Sequence, residues 1–338
     1  MLKVAILGAS GFVGAELLRL LDGHAEFEAV RFFGDSASGK PLAEVHPHLA
    51  LAYSGAQVER YAADLLDGVD LVFAALPHGH SQDVAAEIIA HGLKFVDLGA
   101  DFRLHTAEDY QHWYGEPHKA SDLLDTFVYG IPELHRDAIR SAQCVAAAGC
   151  YPTTAILALK PLVDAGLIDP QSIVVDAASG VSGAGRAAKE GTHFNTVDES
   201  FAAYGLLNHR HTAEMEQELG ARVLFTPHLV PMNRGILATC YGTATRPMGA
   251  DEPLEALRSA YADEPFVHVT STPPATKWTL GSNAVQVTAR YDERTGRVLA
   301  IAALDNLVKG AAGQMIQCAN LMTGLDESAG LPRVGVYP

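Results

Sequence analysis

The sequence predicts an α/β protein with a doubly wound parallel sheet, followed by an α+β region with a mostly antiparallel sheet. In the first part, helices alternate with short apolar strands at residues 2–7, 27–33, 69–76 and 93–98. Regular alternation of this kind is typical of parallel sheets. Later segments alternate apolar and β-branched residues with polar ones, which favours antiparallel strands. The length of 338 residues is enough for about two domains.

Composition limits the classes of partner. The formal net charge of −16 argues against a nucleic acid or an anionic membrane as the main partner. Hydrophobic residues make up 48% of the chain and charged residues 19%, which is ordinary for a folded enzyme. We therefore expect a protein that acts on a small molecule, with its few cations concentrated at the site of any anionic substrate.

The four cysteines are scattered and form no CxxC pair. This pattern argues against a zinc site or a disulfide framework, so we expect no metal, reduced thiols and a cytoplasmic location. The apolar start of the chain is interrupted by glycines from Gly8 onward, which argues against a signal peptide. No stretch approaches the roughly 20 apolar residues of a membrane span.

A glycine-rich turn follows the first strand. Gly8, Gly11 and Gly14 lie between this strand and a leucine-rich helix over residues 15–21. Glycines in this place let the backbone approach a pyrophosphate, whose charge then lies at the start of the helix. The turn predicts a Rossmann-type dinucleotide site; a purely structural turn is the alternative.

The end of the second strand bears on the choice of cofactor, because the adenosine ribose lies there in dinucleotide folds. Asp35 suits the free 2′-hydroxyl of NAD. Ser36, Ser38 and Lys40 suit the 2′-phosphate of NADP, and their number favours NADP.

Cys150 lies where a buried strand gives way to a helix. Pro152 suits a first helical turn, and Thr153 and Thr154 suit a helix start. The unpaired amide groups and the positive end of the helix dipole favour a thiolate at this point. From these residues alone, Cys150 is either a nucleophile or a buried structural cysteine.

Two further regions carry groups for an anion and for proton transfer. The loop at 179–186 contains three glycines, two serines and Arg186, a composition that suits an oxyanion or phosphate better than a mobile surface loop. Arg103 follows a strand at the edge where such sheets bind ligands, although a surface arginine is the alternative. His209 and His211 near Glu214 are candidates for acid–base chemistry or surface residues.

The predicted second domain contains strands at 222–227 and 236–245, joined by a stiff connection at 228–235. A closing helix is predicted over 306–322. We place the Rossmann domain at 1–148 plus 310–338 and the substrate and oligomerisation domain at 149–309.

Together these motifs resemble the N-acetyl-γ-glutamyl-phosphate reductase family of arginine biosynthesis, a branch of the aspartate-semialdehyde dehydrogenase superfamily. The resemblance spans nearly the whole chain, and the order and spacing of the motifs are specific. They are GASGFVG at 8–14, ALPHGHS at 75–81, DLGADFR at 97–103, YGIPEL at 129–134, GCYPT at 149–153, SGVSGAGR at 179–186, HRHTAE at 209–214, FTPHLVPMNRG at 225–235 and LDNLVKGAAGQMIQ at 304–317.

The resemblance implies NADPH-dependent reduction of an acyl phosphate through a thioester on Cys150, in a homodimer or homotetramer. His211, His209 and Glu214 would assist the thiol, with His211 favoured as acid and base because Glu214 lies one turn away. The substrate would be bound by Arg103, Ser182 and Arg186. The implied cofactor contacts are Gly8, Ser10, Gly11, Phe12, Val13, Gly14, Ser36, Ser38, Pro77, Ser179, Gly180, Gly183 and Asn306.

The chain departs from the family pattern just before Gly149 and again after His211. Ala147 and Ala148 stand where the family commonly has Asn-Pro, and Ala213 replaces a usual proline. No reacting group is lost, so activity is expected. Aspartate-semialdehyde dehydrogenase, a cofactor-free cysteine hydrolase and a non-catalytic dinucleotide sensor are the alternatives.

Overall fold

A computed structural model describes residues 1–337. Its α-helices are α1 (Phe12–Asp22), α2 (Leu42–Val45), α3 (Ser81–Ala90), α4 (Ala107–Tyr114), α5 (Pro132–Ser141), α6 (Cys150–Asp164), α7 (Phe194–Val197), α8 (His211–Leu219), α9 (Glu252–Ala260) and α10 (Gly313–Met322). Its strands are β1 (Leu2–Leu7), β2 (Phe27–Phe33), β3 (Leu71–Ala74), β4 (Lys94–Asp97), β5 (Phe127–Gly130), β6 (Cys144–Ala147), β7 (Ile173–Gly180), β8 (Ala202–Ala203), β9 (Val223–Val230), β10 (Ile236–Thr243), β11 (Val267–Val269), β12 (Val285–Asp292) and β13 (Arg297–Leu304).

The described residues group into two compact units. Residues 1–148 and 311–331 form the first, and residues 149–310 with 332–337 form the second. Within residues 1–337, no helix has both the length and the apolar character that crossing a bilayer would need.

The first unit is built on a six-stranded parallel sheet in the order β2-β1-β3-β4-β6-β5. The chain leaves β1 toward β2 on one side and returns to β3 on the other, so the strand order reverses at β1. Loops at the carboxyl ends of strands next to such a reversal form the usual ligand crevice of these sheets. The predicted doubly wound parallel sheet is therefore confirmed.

A buried carboxylate organises the carboxyl edge of this sheet. Asp101, which is fully buried, accepts hydrogen bonds from the backbone N–H groups of Gly79 (2.8 Å) and Ser81 (3.0 Å). These donors lie before and at the start of α3, where N–H groups have no partner within the helix and a negative charge is favoured. Asp101 thus connects the loop after β3 to the loop after β4.

The second unit is built on a seven-stranded mixed sheet in the order β11-β12-β13-β10-β7-β9-β8. Four of the strand pairings are antiparallel and two, β11–β12 and β7–β9, are parallel. Helices α6, α8 and α9 pack against the sheet, and one face of the central strands is buried at residues such as Val175, Cys240 and Ala300. The mostly antiparallel α+β prediction is confirmed.

Three predicted boundaries were wrong. Helix α6 begins at Cys150, and the hydroxyls of Thr153 and Thr154 donate back to carbonyls of the preceding turn instead of starting the helix. Strand β9 continues to Val230, because the predicted connection from residue 228 pairs with β7 and β8 instead. The closing helix begins with a π-helical turn at Val308–Ala312 and not at Asn306, and the Gly310 N–H donates to the Asp305 carbonyl five residues before it.

Candidate active site

Cys150 is the first residue of α6 and is distinguished from the other cysteines by its exposure. Its thiol is partly exposed, whereas Cys144, Cys240 and Cys318 are buried. Burial raises the pKa of the Cys144 thiol to about 12, which keeps that group protonated. The helix start instead places Cys150 where amide groups and the dipole favour a thiolate.

The residue before Cys150 is anchored by a buried acid. The Gly149 N–H donates to Oε2 of Glu214 at 2.9 Å, and Glu214 is fully buried. The nearest oxygen of the same carboxylate lies 3.9 Å from Nε2 of His211, which is longer than a hydrogen bond. Glu214 therefore holds the start of α6 directly, and its negative charge lies close to the ring of His211.

Gly310 packs against Cys150 from the segment that follows β13. A Cβ placed on Gly310 would lie 2.8 Å from the Cβ of Cys150, so any side chain there would displace the cysteine. This close approach brings the segment that contains Asn306 to the same part of the second unit as the thiol.

His209 lies within a group of aromatic rings. The ring centroids of Tyr151, Tyr204 and Phe225 lie 5.7, 5.5 and 5.3 Å from that of His209. The ring of His211 lies at 4.8 Å. Burial, with a smaller contribution from the positive charge of Arg210, lowers the pKa of His209 to about 4. His209 is thus neutral near neutral pH.

Asn306 connects two loops of the candidate site. Its Oδ1 accepts from the Gly235 N–H at 2.7 Å, and its Nδ2 donates to the Ser182 hydroxyl at 2.9 Å. The Ser182 hydroxyl in turn donates to the carbonyl of Asn233 at 2.6 Å. These contacts fix the predicted anion loop in place.

The other predicted residues of the anion loop differ in exposure. Ser179 is buried at the end of β7 and Arg186 is exposed. A Cβ on Gly180 would lie 2.6 Å from the carbonyl oxygen of Asn233, and one on Gly183 would lie 2.9 Å from the Ser179 hydroxyl. Both glycines are therefore required by close packing within the loop.

The glycine turn after β1 has the close contacts expected of a phosphate-binding turn. Gly8 has φ +83°, and a Cβ there would lie 2.3 Å from the carbonyl oxygen of Ala75. A Cβ on Gly14 would lie 2.4 Å from the Gly8 oxygen. The α1 helix then begins at Phe12 after Gly11, without a side-chain cap, which leaves its first N–H groups for a ligand.

The remaining predicted residues of the first unit follow neighbouring strands. Ser36 and Ser38 are exposed after β2, and Pro77 follows β3. Together with Ser10 and Val13 of the glycine turn, they lie near the carboxyl ends of adjacent strands. Arg103 follows β4 and is 5% exposed, and its guanidinium donates to the Leu98 carbonyl at 2.7 Å.

Sequence reasoning missed the aromatic residues around His209. Tyr204 lies in a polar, irregular stretch whose pattern offered no signal. Phe225 belongs to β9, where the alternation of buried and exposed residues could have indicated an inward side chain. Tyr151 lies in the GCYPT motif. Sequence spacing alone did not indicate that it packs near His209 and His211, which follow it by 58 and 60 residues.

Two family models match the chain. Residues 3–142 match the semialdehyde dehydrogenase NAD-binding domain, and residues 150–306 match the semialdehyde dehydrogenase dimerisation domain. Together they cover both the glycine turn and the surroundings of Cys150.

Named relatives match over the full length. N-acetyl-gamma-glutamyl-phosphate reductase of Pelotomaculum thermopropionicum is 47% identical, with 99% of each chain covered. The protein of the same name from Desulforudis audaxviator is 49% identical, with 100% of each chain covered.

Solved structures of aspartate semialdehyde dehydrogenases share the fold. That of enzyme II from Vibrio cholerae has a TM-score of 0.70 at 20% identity, covering 95% of this chain and 98% of the other. The Candida albicans enzyme with NADP has a TM-score of 0.68 at 17% identity, covering 96% and 98%. At these identities, the likeness concerns the fold alone.

We expect Glu214→Ala to lower the free energy of unfolding by about 2–4 kcal/mol, because a buried N–H loses a charged acceptor. Glu214→Gln retains an acceptor and should cost about 1 kcal/mol. Urea unfolding followed by circular dichroism measures both, with Glu255→Ala, at an exposed surface ion pair, as the control. Wild-type stability of Glu214→Ala would show that the Gly149 turn does not depend on this hydrogen bond.

Proposed function

Because the chain belongs to the N-acetyl-γ-glutamyl-phosphate reductase family, we propose that it reduces N-acetyl-γ-glutamyl phosphate to N-acetylglutamate 5-semialdehyde in arginine biosynthesis. NADPH is the proposed electron donor, and phosphate is the second product. The observation that carries the proposal is the position of Cys150, a partly exposed thiol at a helix start in the unit that also holds His209 and His211.

In the proposed first step, the Cys150 thiolate attacks the acyl carbon of the substrate. A carbon–sulfur bond forms, the bond from the acyl carbon to the phosphate oxygen breaks, and phosphate leaves. The resulting thioester divides one difficult displacement into two easier steps. Backbone N–H groups of the first turn of α6 would stabilise the developing oxyanion.

Proton transfer is assigned to His211 in this proposal. Its Nε2 lies 3.9 Å from the buried Glu214 carboxylate, which would stabilise the imidazolium that forms when His211 takes the thiol proton. The same imidazolium would give this proton to the oxygen of the phosphate as it leaves.

The proposed substrate contacts are Ser182, Arg186 and Arg103. Ser182 is held by Asn306, so that its loop is rigid before any ligand binds. Arg186 is exposed at the end of that loop and supplies positive charge in a chain whose net charge is −16. Bidentate guanidinium contacts suit carboxylate and phosphate groups.

The cofactor residues fit a dinucleotide. Because Gly8 and Gly14 carry no side chains, the backbone turns tightly and a pyrophosphate can approach the first turn of α1. Exposed Ser36, Ser38 and Lys40 would bind a 2′-phosphate, and this supports NADP over NAD. When bound, NADPH supplies the hydride that reduces the acyl group.

The residues of the second unit that were predicted to contact the cofactor also form contacts within the protein. Ser179, Gly180 and Gly183 pack within the loop itself, and both ends of the Asn306 amide are already bound by protein groups. We therefore propose that Asn306 supports the cofactor and substrate mainly by holding this loop.

We further propose that the protein forms a homodimer or homotetramer through the seven-stranded sheet. On the face opposite α6, strand register places Leu224 beside Val174, Val174 beside Tyr241 and Tyr241 beside Leu299. Leu224 is 51% exposed and Tyr241 is 37% exposed. Apolar side chains in a contiguous exposed row favour a protein interface, and this region matches a dimerisation domain.

We also propose a cytoplasmic location. All four cysteines are free thiols, and this is usual in a reducing compartment.

The reaction is tested by phosphate-dependent reduction of NADP⁺ with N-acetylglutamate 5-semialdehyde, followed by the absorbance of NADPH. We expect Cys150→Ser to lose at least about 10⁴-fold in kcat, because the nucleophile of the covalent step is weakened. Cys144→Ala removes a buried thiol and is the control. Unchanged turnover of Cys150→Ser would refute the proposed mechanism. Equal rates with aspartate semialdehyde would refute the proposed substrate.

Gly14→Ala tests the nucleotide turn. We expect NADPH affinity to fall at least about 100-fold, because the added Cβ meets backbone atoms that cannot move aside without opening the turn. Gly23→Ala, at the other end of α1, has its nearest contact at 3.9 Å and is the matched control. Fluorescence titration with NADPH and NADH measures the affinity for each cofactor and the preference between them. Tight NADPH binding by Gly14→Ala would show that the dinucleotide does not bind at this turn.

Tyr241→Asp tests the sheet interface. The new carboxylate would be buried between the sheets of two protomers without a partner of opposite charge. We therefore expect the assembly to dissociate to a smaller species. Sedimentation velocity measures the mass, and Tyr337→Asp, at a residue 66% exposed, is the control. An unchanged mass for Tyr241→Asp would move the interface to another surface.

A further inference from the structure

A cavity of about 530 Å³ opens at the edge of the seven-stranded sheet, next to β11. Its lining comes from residues 264–268, from Trp278, from the start of β12 and from residues 333–335, all within the second unit. None of the lining residues is among the residues of the candidate active site. Small-molecule sites usually measure roughly 300–1,000 Å³, so this cavity has the size of a second ligand site.

One wall of the cavity is a C-terminal segment that is fixed on both sides of Arg333. Backbone hydrogen bonds of 2.8 Å and 2.7 Å connect Pro332 and Val336 to the loop at 280–283. The backbone between these two bonds, which carries Arg333, is therefore held in place before any ligand binds. A group that is already ordered loses less freedom when a ligand arrives.

Four polar side chains on the lining have no partner within the protein. The guanidinium of Arg333, the indole N–H of Trp278, the imidazole of His268 and the amide of Gln286 form no hydrogen bond or ion pair with another group of residues 1–337. His268 and Gln286 are paired in the register of β11 and β12, so their side chains lie on the same face of the sheet. Together these side chains offer many donors to a ligand that carries oxygen acceptors.

Positive charge is concentrated at this cavity in a chain whose net charge is −16. Besides the guanidinium of Arg333, Nζ of the buried Lys309 lies 6.0 Å from the centroid of the Phe266 ring, which forms part of the lining. Glu264 is the acidic residue of the lining, and within the described part of the chain it forms no ion pair with Arg333. The Arg333 charge is thus not neutralised at the cavity, and a guanidinium in this state suits a carboxylate or phosphate group.

An apolar surface lies beside these donors. The Trp278 side chain is large and flat, and the residue is 40% exposed. Pro265 and Val334 also line the cavity. An indole face with apolar neighbours is a suitable surface for a flat ring of a ligand.

We propose that this cavity binds a small organic anion, with its carboxylate or phosphate group at Arg333 and an attached flat ring against Trp278. His268 and Gln286 contribute further hydrogen bonds to the polar part of the ligand. The negative charge of Glu264 disfavours a second anionic group on the ligand, so one anionic group is expected. The proposal does not depend on the proposed reductase reaction.

Binding is tested by the fluorescence of Trp278. The chain contains two tryptophans, and the other, Trp113, lies in α4 of the first unit. In a Trp113→Phe protein, the emission therefore reports on the cavity alone. The probes are phenyl phosphate and phenylacetate, with inorganic phosphate and benzyl alcohol as the charge without a ring and the ring without a charge.

We expect a saturable change in emission with at least one of the two aromatic anions. It should bind at least about 10-fold more tightly than inorganic phosphate or benzyl alcohol, because it gains both the charged and the apolar contact. The stronger of the two aromatic anions identifies the preferred group as a phosphate or a carboxylate.

Calorimetric titration of variants of the otherwise wild-type protein tests the residues. Arg333→Gln should weaken binding at least about 10-fold, because a charge-assisted hydrogen bond is lost. Trp278→Ala should also weaken it about 10-fold, and Trp278→Phe should recover most of that loss because it retains a ring. Arg294→Gln, at an exposed arginine of the turn after β12, is the control and should bind as the wild type does.

Three results would overturn the proposal. The first is the absence of a saturable change with both aromatic anions, and the second is equal affinity of the Arg333→Gln and wild-type proteins. The third is complete protection of Trp278 from quenching by acrylamide in the Trp113→Phe protein, which would show that a second copy of the chain covers the cavity. Failure of the reductase reaction would leave these binding results unchanged, because the titrations do not measure turnover.

Discussion

The hydrogen bond from the Gly149 N–H to the buried Glu214 carboxylate connects the two helices on which the candidate site depends. It ties the first residue before α6, and therefore Cys150, to α8. Helix α8 begins at His211, so the thiol and the imidazole are positioned by the same contact. The negative charge also lies at the positive end of α6, which offsets part of the cost of burying it. A carboxylate placed there stabilises the turn and remains close enough to act electrostatically on His211.

The turn before Gly149 is built from two small residues. Ala147 and Ala148 are both fully buried, and a Cβ on the neighbouring Gly130 would lie 2.8 Å from the Cα of Ala147. Strands β5 and β6 thus approach each other closely at their ends. The Ala148 carbonyl accepts a hydrogen bond of 3.4 Å from Gln314 in α10. The first unit therefore supports the turn by packing and by one hydrogen bond, without a proline to restrict the backbone.

The site contains two histidines with different surroundings. His209 is enclosed by aromatic rings and held in one tautomer by the His211 N–H, whereas His211 lies near a buried carboxylate. The two imidazoles therefore have different electrostatic surroundings. In the proposed mechanism, His211 is therefore the residue that gains a proton.

The sequence alone determined the parallel and mostly antiparallel sheets, the glycine turn and the strand-to-helix position of Cys150, because these depend on local periodicity and on residues next to each other. It did not determine that α6 begins at Cys150, that Glu214 bonds Gly149 65 residues away, or that Asn306 joins two loops. Nor did it predict that the rings of Tyr204 and His209 pack against each other. These features are contacts between segments that only the folded chain brings together, and burial within those contacts sets the charge of each group.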